Sequence, residues 1–398
     1  MTQVVERQNP VVPFVDLRAQ HGELREQIET TILDIINRSA FIGGPYVESF
    51  EKDFAAYCGT DHCVTCGSGT DALKLALMAA GVKPGDEVIT VPHTFIASVE
   101  AITLAGAFPI FVDIDAQYYT LSPGLLLQFL EERCTLGQGP HPINKKTGRP
   151  VVAVMPVHLY GLPADLDSIL SVSRAYNLKV IEDACQAHGA TLISNGSVRK
   201  AGTIGESGAF SFYPGKNLGA MGEGGAVTTN NPEKARAMRM WRDHGQSERY
   251  IHLRPDGWNS RLDAIQCGIL SVKLRKLDAW NERRCLAAQW YRERLKTYER
   301  IVLPIEPPGR KHVYHLFAVR VPDRDKVRQR LADHGISTGL HYPIPLHLQP
   351  AYRSWGWKEG DFPESERAAA AILSLPMHPH IEEEEVERIC KVLKNALV

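Results

Sequence analysis

The chain has 398 residues, of which 44% are apolar and 23% charged, and its formal net charge is −1. So even a balance offers no electrostatic footprint for nucleic acid or an acidic membrane surface, and no apolar run approaches the roughly 18 residues that a membrane span requires. A chain of this length exceeds one compact core and is expected to divide in two.

The amino-terminal stretch, Met1 to Pro13, is polar and has no apolar signal core, so export is not expected and a cytoplasmic location is. Eight cysteines are scattered at 58, 63, 66, 134, 185, 267, 285 and 390, which suits the reduced thiols of that compartment. Cys63-Val-Thr-Cys66 is a single CxxC without a second pair at zinc spacing, on a run where cysteine acts as a small hydrophobe. The histidines, His378 and His380 among them, lack a helical ligand spacing, and no metal is expected.

His62–Cys66 reads as a strand, followed by a helix from Thr70 with Leu73, Leu77 and Ala80 on one face. A strand at Glu87–Val91, a helix near Ala97–Ala105 and strands at Pro109–Val112 and Val151–Val157 come next. A helix over Asp165–Tyr176 then leads into a strand at Lys179–Ile181. Such alternation builds a mostly parallel sheet with helices on both faces, and ligands gather beyond the carboxyl ends of its strands. Gly137–Arg149 reads as an exposed loop inserted before a core strand. After Asn259 the pattern changes to two long helices, Arg261–Leu277 and Ala279–Tyr298, then a strand near His315–Val321 and a helix at Arg324–His334. A Pro/His-rich loop, His341–Pro350, precedes a closing helix over Ile381–Val398. That helix opens on four glutamates and carries Lys391 and Lys394 near its end, complementing its dipole. The expected organisation is a large α/β domain over 1–255 and a smaller α+β domain over 256–398.

Three polar motifs fall where strands end. In Gly67-Ser68-Gly69-Thr70-Asp71, the free N–H groups and dipole of a helix start favour an anion, and glycines let a phosphate approach. The spacing is neither GxGxxG nor GxxxxGK[ST], and a plain cap by Ser68 or Thr70 is the competing reading. In Val180-Ile181-Glu182-Asp183-Ala184-Cys185-Gln186, an acid just past a buried strand needs a cationic partner, which a pyridinium nitrogen supplies. The alternative is an Asp that caps the next helix, with Glu182 facing solvent or serving a structural pair. In Phe210–Gly225 (FSFYPGKNLGAMGEGG), an aromatic strand delivers Lys216 into a turn with a glycine-rich return, and Ser211 lies five residues ahead. A lysine in a dry pocket loses basicity and becomes a nucleophile toward carbonyl carbon; the bland reading is a surface lysine in a hairpin. Phosphate cradle, acid and lysine in this order are what pyridoxal 5′-phosphate requires.

The motifs GSGTDAL, EDACQAHGA, FSFYPGKNLGAMGEGG and WNSRLDAIQ resemble those of the DegT/DnrJ/EryC1/StrS sugar aminotransferases, from Val12 through Met377. The resemblance implies the fold-type I architecture of the aspartate aminotransferase superfamily and a homodimer with shared active sites. Carried over by position, Lys216 matches the lysine that forms the imine with the cofactor and then moves the proton, and Asp183 the partner of the pyridine nitrogen. Gln186 matches a residue near the cofactor's 3′-oxygen, Gly69 and Thr70 the phosphate loop, and Ser211 a side-chain phosphate donor. Phe95 falls where the family sets an aromatic ring against the pyridine face, and Asn259 where a residue reaches the neighbouring subunit's phosphate. The implied reaction moves an amino group from L-glutamate to a nucleotide-linked keto-sugar. The segment Gly339–Pro350 is similar to that of members acting on 3-keto hexoses, with 4-keto sugars and keto-cyclitols as alternatives. His341 and Tyr342 contact the sugar on this reading or pack the domain junction. A dehydratase would carry histidine in place of Lys216. A cysteine desulfurase-like enzyme using Cys185, or a non-catalytic regulatory protein on the same scaffold, are the remaining rivals. The Gly137–Arg149 and Ile193–Lys200 segments are longer than the family pattern.

Overall fold

The strand–helix alternation resolves, in a computed structural model that describes residues 11–137 and 139–397, into a seven-stranded sheet. The stretch up to Pro10, Gln138 and Val398 lie outside the described residues. In chain order the strands are β1 (His62–Cys66), β2 (Glu87–Thr90), β3 (Phe108–Phe111), β4 (Val151–Val154), β5 (Lys179–Asp183), β6 (Ser207–Ser211) and β7 (Gly225–Thr229). Across the sheet they run β1-β7-β6-β5-β4-β2-β3. The pairs from β6 through β3 are parallel. Strand β7 alone runs against both its neighbours. Helices cover both faces, so β2, β4 and β7 are buried at every position, as strands without a wet face must be.

The β4 strand ends at Val154, short of the Val157 expected, because Pro156 has no N–H to give a ladder. Beyond it the chain leaves the sheet and returns to β5 through a Val157–Asp183 bridge.

The segment before β4 is not a plain loop. Pro142–Asn144 pairs antiparallel with Cys134–Leu136, and the hairpin has work to do at Glu87, which is fully buried at the start of β2. Asn144 Nδ2 donates to Glu87 at 2.8 Å and Thr147 Oγ1 at 2.6 Å. Burial still raises the Glu87 carboxyl above its ordinary value. The second long segment is also a hairpin, Thr191–Ser194 against Ser197–Lys200. It turns on Asn195 and Gly196, both with positive φ (49° and 76°), which suits an Asn-Gly turn.

Towards the carboxyl end, α1 (Ala264–Leu274) and α2 (Leu277–Leu295) are the two consecutive helices. Helix α1 starts only at Ala264, after Asp263, while Arg261 is held in the preceding loop by an ion pair to Asp243 at 2.6 Å. An antiparallel pair, β8 (Phe317–Arg320) and β9 (Ile372–Leu375), packs with α2, the helix Arg324–Asp333 and the closing helix Glu383–Asn395. Tyr291, Phe317, Leu331, Leu373 and Ile389 are buried in this second core, together with Val12 from the amino-terminal end. Glu382 and Glu385 form a capping box on the closing helix. The helix Pro363–Ala371 has no cap of its own. Asp113, after β3, supplies one: it accepts from Glu364 N at 2.8 Å, Ser365 N at 3.0 Å and Ser365 Oγ at 2.6 Å. That contact ties the helix leading into β9 to the edge of the large sheet. Among the described residues no helix is long and apolar enough to cross a membrane.

Candidate active site

A cavity of about 750 Å³ opens beyond the carboxyl ends of the parallel strands, and all three polar motifs line it. The first begins where β1 ends. Ser68 caps the helix Gly69–Ala79, its Oγ accepting from Asp71 N at 3.1 Å. Both readings of this motif therefore hold at once, because the cap leaves the N–H groups of Gly69 and Thr70 at the helix start without an intrahelical partner. Gly69 is required by space: a Cβ there would sit 2.6 Å from Ser211 Cβ. The turn is braced from outside by Ser260, whose O and Oγ accept from Gly67 N at 3.0 and 3.2 Å. Trp258 Nε1 adds a 3.0 Å bond to Asp71.

Asp183 is the last residue of β5 and only 4% exposed. Its Oδ2 accepts from Ser98 Oγ at 2.7 Å and its Oδ1 from Cys185 N at 3.2 Å. No helix follows it directly, so the capping alternative falls away. Glu182, one residue earlier, points to the opposite face, as strand alternation demands. It is fully buried and accepts from His158 Nε2 (2.9 Å), Gly202 N (2.6 Å), Ile204 N and Gly205 N (both 2.7 Å). Burial pushes its carboxyl up, but His158 and these amides outweigh burial and hold it below the ordinary value. His158 Nδ1 itself accepts from Ala164 N at 2.9 Å, which makes the ring the neutral Nε2–H tautomer. Of the two outcomes expected for Glu182, the structural pair is the one found.

Lys216 is enclosed by protein yet partly open to the cavity. Burial lowers its ammonium below the ordinary value, while the charge of Asp183 pulls the other way. The surrounding loop closes on itself: Lys216 N donates to Tyr213 O (2.9 Å), Ala220 N to Phe212 O (2.8 Å) and Phe212 N to Gly224 O (2.7 Å). Gly219 makes this possible, since a Cβ there would collide with Pro214 O. The surface-lysine reading is thereby excluded.

Around these three sit the remaining expected residues. Gln186 Oε1 accepts from Tyr160 N at 2.7 Å, and its Nε2 donates to Tyr342 OH at 3.0 Å. Burial raises the Tyr342 phenol. His341 stacks on Phe14 with 5.6 Å between centroids and has Nδ1 3.0 Å from Ser374 Oγ. Burial, with Lys216 adding to it, brings its imidazole down to about 4. Phe95 is 49% exposed, with its ring 5.7 Å from that of Tyr342. Ser211 and Thr70 both line the cavity. Asn259 does not: it is exposed on the outer side, between the two residues that brace the phosphate-type turn.

Four residues with a part in the site escaped the sequence reading. Ser98 orients Asp183. Asn217 and Lys273 hold the lysine loop from below, Lys273 Nζ donating to Gly219 O at 2.7 Å. His315 reaches the cavity wall from the carboxyl-terminal part of the chain. Cys185, read as packing, also faces the cavity; burial, with Asp183 adding to it, keeps the thiol well above its ordinary value and so protonated.

Comparison with known proteins gives this arrangement its setting. The chain is 41% identical to the Streptomyces venezuelae dTDP-3-amino-3,4,6-trideoxy-alpha-D-glucose transaminase, over 98% of this chain and 97% of that one. It is 41% identical to a UDP-N-acetyl-3-dehydro-alpha-D-glucosamine 3-aminotransferase from Acidithiobacillus ferrooxidans, over 98% and 99%. Its fold superposes with a TM-score of 0.89 on the crystal structure of S. venezuelae DesV in complex with a ketimine intermediate, at 41% identity, covering 97% of this chain and 98% of that one. The sheet and its helices are thus the fold-type I architecture of pyridoxal phosphate-dependent aminotransferases. Residues 23–394 match the model of the DegT/DnrJ/EryC1/StrS aminotransferase family, and the chain belongs to that family.

Proposed function

We propose that this aminotransferase converts L-glutamate to its 2-oxo acid and a nucleotide-linked 3-keto hexose to the corresponding 3-amino sugar, in two half-reactions that share the cavity. The observation that carries the reading is the convergence in one cavity of a helix start with free N–H groups, a strand-end carboxylate and a lysine of lowered basicity. Pyridoxal 5′-phosphate is the family's cofactor, and the residues present fit it. Gly69 and Thr70 N–H with the Thr70 and Ser211 hydroxyls offer donors for its phosphate. Asp183, steadied by Ser98, offers a carboxylate oxygen to the ring N–H. Gln186 stands beside Asp183, and Phe95 supplies an aromatic wall. When bound, the cofactor supplies a conjugated electron sink.

Lys216 does the proton work. Its Nζ takes the proton from the donor's α-carbon and returns one within the cavity, which a lysine of ordinary basicity, fully protonated at neutral pH, does slowly. The two relatives above, named for amination at carbon 3, support the 3-keto assignment. His341 and Tyr342, both on the cavity wall, are the residues we assign to the sugar side. The exposed position of Asn259, outside its own cavity but next to its bracing residues, supports a homodimer in which it serves the partner's phosphate.

The test is spectroscopic. Protein purified with the cofactor shows a visible band that bleaches on adding L-glutamate, and Lys216→Ala shows neither. Chemically prepared 3-keto and 4-keto nucleotide sugars, offered to the glutamate-treated enzyme, then separate the two acceptor classes by which one restores the band.

A further inference from the structure

We propose that His315 is the hydrogen-bond acceptor for the free ε-ammonium of Lys216, presented to the cavity as a single tautomer by the side-chain amides of Asn217 and Asn281. The proposal rests on the reading of Lys216 as an amine that is set free once in each half-reaction.

The tautomer follows from a chain of donors and acceptors. Asn281 Nδ2 donates to His188 O at 2.8 Å, which turns its Oδ1 toward Asn217. Asn217 Nδ2 then gives one hydrogen to Asn281 Oδ1 at 2.8 Å and one to Val313 O at 3.0 Å. Flipping the Asn217 amide would set oxygen against two oxygens, so its Oδ1 must face His315. An amide oxygen only accepts, and His315 Nδ1, 3.2 Å away, therefore carries the hydrogen. A neutral imidazole with its proton on Nδ1 has a lone pair on Nε2. That Nε2 has no hydrogen-bond partner among the described residues and is not sealed from the cavity.

Burial above all keeps the ring neutral. After burial, the charge of Lys216 has the largest effect on it, followed by that of Arg284, and both disfavour an imidazolium. A neutral acceptor beside a lysine stabilises that lysine's ammonium, whereas a second cation would repel it. Asn217 is also the residue directly after Lys216. One buried amide thus fixes the lysine loop to α2 and orients a ring that lines the same cavity as the lysine.

The sign of the effect on Lys216 tests this, and the measurement needs neither bound cofactor nor turnover. Full-length protein stripped of cofactor is labelled with acetic anhydride across a range of pH, and Lys216 acetylation is quantified by mass spectrometry. His315→Asn keeps a donor toward Asn217 and removes the Nε2 edge. Its Lys216 pKa should fall by about one pH unit, making labelling near neutral pH about tenfold faster. In the cofactor-loaded enzyme, the acid limb of the kcat-against-pH profile of the glutamate half-reaction should move down by about one pH unit while KM stays within about twofold. An unchanged or raised Lys216 pKa in His315→Asn overturns the proposal. His315→Gln and His315→Leu provide a second arm. Both lose the bond to Asn217, but only Gln offers an amide oxygen where Nε2 stood. Gln should keep the Lys216 pKa near the wild-type value and Leu should not; equal values in the two variants overturn the proposal. An enzyme inactive with glutamate that still shows these differences would sink the functional assignment and leave this one standing.

Discussion

Lys273 lies on α1 beneath the Lys216 loop, fully buried, with Nζ 2.7 Å from Gly219 O and 2.9 Å from His21 Nε2. Burial pushes its ammonium from 10.5 down to about 8. The unfolded chain keeps an ordinary lysine, so between pH 8 and 10.5 it holds a proton that the folded protein has released. Stability therefore rises with pH through that window. At 1.36 kcal/mol per pH unit the full gain is about 3 kcal/mol. Lys273→Met keeps the apolar stem and removes the charge. Near pH 7 it loses two hydrogen bonds but escapes the cost of burying a cation, and these offset to within about 2 kcal/mol. Above pH 10 only the loss remains. Urea unfolding followed by circular dichroism, at pH 7, 8, 9 and 10, gives the stability difference between the two proteins. Wild type should gain on the variant by about 2 to 3 kcal/mol across the series. The difference must be used, not either curve alone. All eight thiols are raised by burial in the fold, which makes both proteins less stable as the unfolded cysteines ionise. Parallel curves would refute the buried-ammonium argument.

Two further predictions concern the other halves of the site. Gly69→Ala places a methyl group against Ser211, and should weaken cofactor binding by about tenfold or more in an absorbance titration, as a blocked anion cradle would. Glu182→Gln leaves a neutral amide among four donors; urea unfolding should show a loss of about 3 to 5 kcal/mol. Activity per folded molecule should stay close to wild type, since Glu182 faces away from the cavity.

The groups legible in the sequence are those whose role is set within a few residues. A helix start exposes its own N–H groups, a strand end aims its own last side chain, and a glycine-rich turn holds its own lysine. Gly69, Thr70, Asp183, Gln186, Ser211 and Lys216 could be placed at the cavity for that reason. Strands β1 to β5 follow the same logic where the chain alternates, with small errors where a single residue such as Pro156 ends a ladder, and the aromatic run at Phe210 marks the end of β6; β7, the strand that runs against its neighbours, was not anticipated. The Asn195-Gly196 turn was equally local, and its hairpin was open to the same reasoning.

What supports those groups obeys a different rule. Lys273 bonds Gly219 across 54 residues, His315 bonds Asn217 across 98, and Asp113 reaches Ser365 across 252. Nothing near Lys273 in the chain marks it as more than a lysine in the last turn of a helix, because its meaning lies in a carbonyl supplied by another element. These long bonds share a design. Asn217 and Lys273 anchor the Lys216 loop to α2 and α1, and Asp113 anchors the helix Pro363–Ala371 to the sheet edge. The position of Lys216 relative to Asp183 is therefore determined as much by the helices after residue 260 as by the strands that deliver the two residues. It follows that mutations in α1 or α2, outside the cavity, should alter Lys216 chemistry while leaving the phosphate-type turn at Gly69 intact, since that turn is braced by Ser260 and Trp258 instead.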